Sequence, residues 1–327
     1  MKKKGEKKQT GKSALQYSVF FKNISKKDVG IAGGKGASLG EMTGAGIPVP
    51  PGFVVTAQAF ERFIEETDID IEIDKWLHKV NPKDISSIDR ASHELRDVIK
   101  KAAFPKDLGK EFLESFDTLG AKLVAVRSSA TAEDSTVASW AGELESYLFV
   151  DRKKLLVTIK TCWSSLFTPR AIFYRFEKKM HRKKVSVAVV VQKMVNSEIS
   201  GITFTAHPVT KDRNQMVIEA GWGQGESIVS GKITPDTYIF DKKKKTILDV
   251  NVSSQSEMIV RKGASGTVTV RVPARIASKQ KLNPVHIKRI AEIFQNIERH
   301  YRSPQDIEWA IEKGNIYIVQ SRPITTL

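Results

Sequence analysis

Residues Asp306 to Pro323 read DIEWAIEKGNIYIVQSRP, two strand-like runs on either side of Lys313 and Gly314. A strand turns alternate side chains to opposite faces, so Asp306 and Glu308 share one face while Ile307 and Trp309 share the other. Gln320 and Arg322 likewise share a face of the returning strand. If the two polar sets meet, two carboxylates, an amide oxygen and a guanidinium converge, a group suited to magnesium and polyphosphate. A strict two-residue turn would leave Glu308 and Gln320 on opposite faces, so convergence requires an odd register, such as a bulge at Gly314. An edge hairpin with an exposed polar face is the plainer alternative.

The segment before this hairpin, KQKLNPVHIKRIAEIFQNIERHY, reads as one amphipathic helix, because Ile287, Ile290, Ile293, Phe294 and Ile297 recur at helical spacing. Further upstream, SVAVVVQKMV, GITFTA, QMVIEAGW, DTYIFD, TILDVNV and GTVTVRV are strand-like, so the chain becomes strand-rich from about residue 185. The preceding part is mostly helical. Residues from about Ala57 to Leu119 carry helical spacing and form a helical insert or outer layer, and LLVTIKTCWSSLFTPRAIFYRFEKK is a long helical stretch broken near Pro169. Between these two, LVAVRSS is a short apolar strand that ends in a hydroxyl-rich loop. The amino-terminal pattern is strand at Val19 to Phe21, Gly-rich turn, helix, a second Gly- and Pro-rich turn, then strand. The expected fold class is α+β.

Three further segments carry groups suited to phosphate. GGKG, Gly33 to Gly36, joins backbone freedom to the cation of Lys35 directly before a helix. It is not the Walker pattern, because Val29 stands at the first glycine position and Ala37 follows Lys35 in place of Ser or Thr. Taken alone, it also reads as a Gly-rich turn with a solvated lysine. In LVAVRSSATAEDS, Arg127 ends an apolar strand beside the donors Ser128, Ser129 and Thr131. Pairing of Arg127 with Glu133 or Asp134 is the local alternative. EAGWGQGESIVSGKITPD sets Glu219 and Glu226 among four glycines, which suits close approach to a phosphate or a metal and equally suits ordinary turns.

The 327 residues, 40% of them hydrophobic, suffice for a substantial core in two lobes. The formal charge is +16, and the first twelve residues hold six Lys against one Glu, so a basic excess remains in the rest. That charge suits an anionic partner. No zinc-finger spacing, aromatic RNA-binding pattern or basic zipper accompanies it, so nucleic acid is not the expected partner. Cys162 is the only cysteine, which excludes an intramolecular disulfide and reads as a small buried side chain. No run of eighteen apolar residues is present to span a bilayer, and the lysine-rich start lacks the apolar segment of a signal peptide. A soluble cytoplasmic protein with a disordered basic tail is expected. His207, in TAHPVT, reads as a loop histidine rather than a phosphocarrier, and no Ser, His and Asp spacing suggests a hydrolase.

Read in order, GGKGASLGEM, GIPVPPGFVVT, VAVRSSATAEDS, SWAGELESYL, CWSSLFTPRAIFYR, VVVQKMV, SGITFTAHP, EAGWGQGESIVSG, TPDTY and DIEWAI with IVQSRPI resemble the ATP/pyruvate-phosphate dikinase family. The resemblance is to the amino-terminal domain of phosphoenolpyruvate synthase and runs from about residue 18 to 325. It implies an ATP-grasp-like fold whose two lobes clamp Mg-ATP: a disordered tail over 1–12, a first lobe with helical insert over 13–185, and a second, strand-rich lobe over 186–327. By motif position, Lys35 and Arg127 would hold ATP phosphates, and Glu308 and Gln320 would hold Mg2+. Asp306 and Arg322 would line the same site, with Lys35, Arg127 and Arg322 as the catalytic cations. Gln192 and Met194 would lie against adenine, and Glu226 would bind the ribose or support its loop.

In that family the domain passes the β-phosphoryl group of ATP to a histidine on a mobile domain, and a carboxy-terminal barrel moves it on to pyruvate. This sequence reaches SRPITTL without a phosphohistidine loop or barrel segment, so the resemblance implies a phosphotransferase module whose acceptor histidine lies on a separate partner. The nucleotide-binding part of a rifamycin-type phosphotransferase and a non-catalytic ATP-binding adaptor are the alternatives.

Overall fold

A computed structural model describes residues 16–131, 145–180, 185–325 and 327. The expected tail over 1–12 and the candidate partners Glu133 and Asp134 lie outside the described residues, as does all of SWAGEL. The chain begins with strand β1 (Ser18–Phe20), helix α1 (Val29–Gly44) and strand β2 (Gly52–Val55). Four helices follow, α2 (Ala57–Glu66), α3 (Ile69–His78), α4 (Ile85–Lys101) and α5 (Lys106–Leu119), as the helical spacing of that stretch requires. Then come β3 (Val124–Ala130), β4 (Ser146–Val150), α6 (Leu155–Ser164), α7 (Pro169–Glu177) and β5 (Val187–Lys193). Pro169 occupies the first turn of α7, where its missing N–H costs nothing, and Thr168 caps that helix through the backbone N–H of Ala171.

The remaining chain forms β6 (Ile199–Phe204), β7 (Gln215–Trp222), α8 (Glu226–Val229), β8 (Asp236–Asp241) and β9 (Thr246–Asn251). These are followed by β10 (Glu257–Arg261), β11 (Thr267–Arg271), α9 (Ala274–Ala277), α10 (Pro284–Tyr301), β12 (Gln305–Glu312) and β13 (Asn315–Pro323). One sheet has the order β1-β2-β5-β3-β4, and a second has the order β13-β12-β6-β7-β8-β9. Every adjacent pair in both is antiparallel, which with the segregated helices makes the fold α+β.

The five-stranded sheet is covered on both faces, which explains why its central strand β5 reads as the unbroken run VAVVV. Val187, Val189 and Val191 pack with Phe60, Phe63, Leu95, Phe112 and Trp163 of the helical layer. Ala188 and Val190 point the other way, into a second core containing Leu39 and Met42 of α1. That second core continues into the six-stranded sheet. Ile307, Trp309, Ile311, Ile316 and Ile318 join Ile287, Ile290, Phe294 and Ile297, the apolar stripe of α10. The opposite face of the six-stranded sheet carries Ile202, Phe204, Glu219, Asp306 and Glu308, all only partly buried. Only one face of this sheet is therefore sealed.

A buried ion pair fixes the route from β8 to α10. Lys281 Nζ lies 2.7 Å from Asp236 Oδ1, and neither side chain has any exposed surface. Asp236 also accepts from the Tyr238 hydroxyl at 2.8 Å and from the backbone N–H groups of Ser253 and Lys281 at 2.9 and 2.8 Å. Lys281 donates in addition to the Ser253 carbonyl at 2.6 Å. Each charge is thus compensated by several partners, the condition for tolerating an ion pair out of water.

Candidate nucleotide site

The two sheets meet across α1 and the tip of β3. The Gly-rich segment is not a loop ahead of the helix, as its glycine content suggested: α1 already runs from Val29, and Gly33 interrupts it with φ 66° and ψ 171°. The helix restarts behind that break, so Gly34, Lys35 and Gly36 form a new first turn. Two constraints make Gly33 obligatory. Its φ is left-handed, and a Cβ there would come within 2.2 Å of Ser129 Oγ and 2.3 Å of the Ser129 carbonyl oxygen. Ser129 Oγ in turn accepts from the Gly36 N–H at 3.2 Å and donates to the Ala32 carbonyl at 2.9 Å, locking the break against β3. Lys35 is partly buried in this turn. One helical turn later, Ser38 donates to the Ser321 carbonyl at 2.9 Å, so the same face of α1 lies along β13.

Alternation along β3 points Val124, Val126 and Ser128 toward the helical layer, and Arg127 and Ser129 toward α1 and the six-stranded sheet. Arg127 crosses to β12 and β13. Its Nη1 donates to the Val319 carbonyl at 2.8 Å, and its Nη2 donates to Gln320 Oε1 at 2.6 Å and lies 3.5 Å from Glu308 Oε2. The Arg127 side chain is 11% exposed and that of Glu308 21%.

The register that permits this meeting differs from the expected one. The turn at Lys313 and Gly314 is a plain two-residue turn, with φ values of 50° and 74° and Glu312 opposite Asn315. The irregularity lies further along: Trp309 faces Ile318 while Glu308 faces Gln320, so Val319 is the extra residue of a bulge. This corrects the location at Gly314 and keeps its consequence, since Glu308 and Gln320 share a face. The bulge does a second thing, because it turns the Val319 carbonyl to the arginine.

Next to this pair, Asp306 faces Arg322, whose Nε donates to Asp306 Oδ2 at 2.8 Å. Strand order adds Glu219, which lies in one row with Ile202, Glu308 and Gln320 across β7, β6, β12 and β13. Burial raises the Glu219 carboxyl above its ordinary range, and the charge of Asp306 raises it further. Asp306 is also raised by burial; Arg322 opposes this and Glu308 adds to it. Three carboxylates therefore share the open face, and a cation arriving there would relieve their mutual repulsion.

The remaining expected residues lie elsewhere. Gln192 is buried at the far end of β5, opposite Gly52 and Ala125, and its Nε2 donates to the Pro50 carbonyl at 3.1 Å. Met194 follows it, partly buried, with its N–H on the Leu123 carbonyl at 3.0 Å. Glu226 is exposed at the start of α8, whose preceding Gly225 packs beside Ser200 at the end of the open face away from Asp306. Arg127, Asp306, Glu308, Gln320 and Arg322 thus gather at one end of the interface between the sheets, Lys35 stands on the restarted turn of α1, and the described contacts of Gln192, Met194 and Glu226 lie elsewhere. Sequence reasoning passed over Ser38 and the Val319 carbonyl. Helical spacing from Lys35 was a signal for Ser38, whereas a backbone oxygen exposed by a bulge leaves none.

Among the described residues, no group of three or more His, Cys, Asp or Glu side chains is arranged to hold a metal ion. Glu308 and Gln320 nonetheless fit magnesium as a partial set: both offer hard oxygen donors, and a cationic guanidinium already bridges them. Such an ion usually takes its other positions from phosphate and water. His207 Nδ1 accepts from the N–H groups of Val209 and Thr210, both at 3.2 Å, so this ring braces its own loop. Cys162 is buried, and burial pushes its thiol far up. No described helix is long and apolar enough to cross a membrane.

Cations and oxygen ligands gathered on one open face suit an anionic ligand, and the chain belongs to the pyruvate phosphate dikinase AMP/ATP-binding domain family, whose model matches residues 29–327. It is similar to a probable phosphoenolpyruvate synthase of Methanocaldococcus jannaschii, at 45% identity over 96% of this chain and 27% of that protein. A probable phosphoenolpyruvate synthase of Methanothermobacter thermautotrophicus is 43% identical over 97% of this chain and 47% of its own length. The phosphoenolpyruvate synthase of Pyrococcus furiosus is 40% identical over 96% of this chain and 44% of its own. The chain spans less than half the length of these relatives.

Proposed function

We propose that the chain is an ATP-grasp-like phosphotransferase module that holds Mg-ATP between a first lobe, 13–185, and a strand-rich second lobe, 186–327, and passes a phosphoryl group to a histidine on a separate partner. The observation that carries this reading is the convergence of Arg127, Glu308 and Gln320 from two sheets. The phosphates would lie at the Asp306 end, beside Lys35, Arg127 and Arg322. From Asp306 to Ala310 the open face runs about 14 Å at about 3.4 Å per residue, which leaves room for a nucleotide laid along it toward Met194 and Glu226.

Bound magnesium would neutralise phosphate charge at Glu308 and Gln320. The chain's own residues would do the rest by position: Arg127 offers a planar fork for two phosphate oxygens, Lys35 a point charge at a helix start, and Arg322 a third cation at the rim. Phosphoryl transfer asks for alignment and charge neutralisation and needs no protein nucleophile on this side. The names of the relatives support the phosphoenolpyruvate synthase type over a rifamycin-type phosphotransferase. The basic excess suits docking of an acidic partner that carries the acceptor histidine.

The test is calorimetric titration with Mg-ATP and Mg-GTP, comparing wild type with Glu308→Ala. Saturable ATP binding that weakens in the variant is expected, and identical binding would sink the site assignment. Production of AMP only when a phosphohistidine domain is added would separate the transferase from an ATP-binding adaptor.

A further inference from the structure

We propose that Arg127 occupies the cation position of this site until nucleotide arrives, so that a divalent ion enters with or after the phosphates and not before. The inference rests on the reading of Glu308 and Gln320 as ligands of that ion. Gln320 Oε1 is the closest acceptor of the guanidinium at 2.6 Å, and Glu308 Oε2 lies on the same nitrogen at 3.5 Å. A metal ion on the second lone pair of the Gln320 oxygen would stand beside the guanidinium that donates to the first, and two cations cannot share these oxygens without strong repulsion. The Val319 bulge holds the guanidinium in place through a third oxygen at 2.8 Å, a contact that has no function in metal binding itself.

Phosphate oxygens are the natural agent of exchange. They offer Arg127 the same bidentate geometry with more negative charge, and they bring the remaining oxygen ligands for the ion. Withdrawal of Arg127 then exposes Gln320 and Glu308 in the same movement. Arg127 also ties the five-stranded sheet to the six-stranded one, so its release loosens the two sheets as nucleotide enters.

The experiment measures Mn2+ affinity by electron paramagnetic resonance of the free ion, with and without β,γ-methylene ATP. Wild type, Arg127→Ala, Arg127→Lys, Glu308→Gln, and Arg127→Ala combined with Glu308→Gln are compared. Without nucleotide, Arg127→Ala should bind Mn2+ tighter than wild type by roughly tenfold or more, the scale of removing one nearby charge from a partly buried site. Arg127→Lys should stay near wild type, and the double variant should lose the gain. The nucleotide analogue should strengthen Mn2+ binding to wild type. Equal Mn2+ affinity of wild type and Arg127→Ala overturns the inference, and if Arg127→Ala still weakens nucleotide binding the site itself stands. If Glu308→Gln alone changes neither ligand's affinity, the site reading falls with it. Should Arg127→Ala fail to fold by circular dichroism, Arg127→Gln removes the charge while keeping a donor for the Val319 carbonyl.

Discussion

Two cation–carboxylate groups in this molecule look alike in composition and differ in everything else. Lys281 and Asp236 are sealed from solvent, and each has several additional partners, all within 2.9 Å. Arg127 and Glu308 stand 3.5 Å apart on a partly open face, with the carboxylates of Asp306 and Glu219 beside them. In the first group every lone pair has a use within the fold, so the pair can only hold architecture together. In the second, Arg322 answers Asp306 but Arg127 stands 3.5 Å from Glu308 and no cation is described beside Glu219, so a further cation or a competing anion has something to gain. Saturation by partners, more than burial alone, separates a structural ion pair from one available for binding.

The contrast is broken most directly by removing one partner of the sealed pair. Lys281→Met should cost about 3–5 kcal/mol of unfolding free energy by leaving Asp236 buried and unpaired, measured by urea denaturation. If the loss were under about 1 kcal/mol, the network would not be the fixture described. Gly33→Ala should come next, at roughly 1–3 kcal/mol for a strained backbone plus the collision with Ser129, and it should weaken nucleotide binding together with stability.

Arg127→Ala should reverse that pattern. Loss of charge-assisted hydrogen bonds to phosphate is worth about 2 kcal/mol, or roughly thirtyfold in ATP affinity by calorimetry, while unfolding shifts by less than about 1 kcal/mol. Comparable losses of stability in Arg127→Ala and Lys281→Met would erase the distinction between the two groups.

A smaller effect belongs to Glu219→Gln. The folded protein disfavours the Glu219 charge, because its carboxyl is raised above the unfolded value. That carboxylate therefore lowers stability once pH rises past the unfolded range, and the penalty is absent in acid where both states are protonated. The variant should be more stable than wild type near neutrality by on the order of 1 kcal/mol or less, and the gain should vanish as pH falls below about 4. A gain that persists in acid would point to packing instead. His207→Ala should leave nucleotide affinity unchanged, since that ring faces its own loop; a clear loss would extend the site well beyond Asp306.

Much of this was legible because periodicity and chemistry coincide. The alternation of DIEWAI, the stripe of Ile287, Ile290, Phe294 and Ile297, and the helical spacing from Ala57 to Leu119 each record which face is buried, and burial acts on every residue of an element at once. Asp306, Glu308, Gln320 and Arg322 were readable as a set for the same reason. The interruption of α1 was not, because the glycines of GIAGGKG suit a loop and a broken helix equally, and the choice depends on Ser129, some ninety residues away.

The sequence by itself determined the α+β class, the sealed and open faces of the hairpin, and the polar groups available for phosphate. Tertiary structure decided how they meet. It placed the bulge at Val319 instead of Gly314, set Glu219 in the row of Glu308, and brought Arg127 from one sheet to the oxygens of another. Face and period are local properties that a strand or helix carries in its own residues. Register shifts, strand order and sheet-to-sheet contact depend on the fit between distant segments, where backbone groups with no side-chain signature, such as the Val319 carbonyl, take part on equal terms.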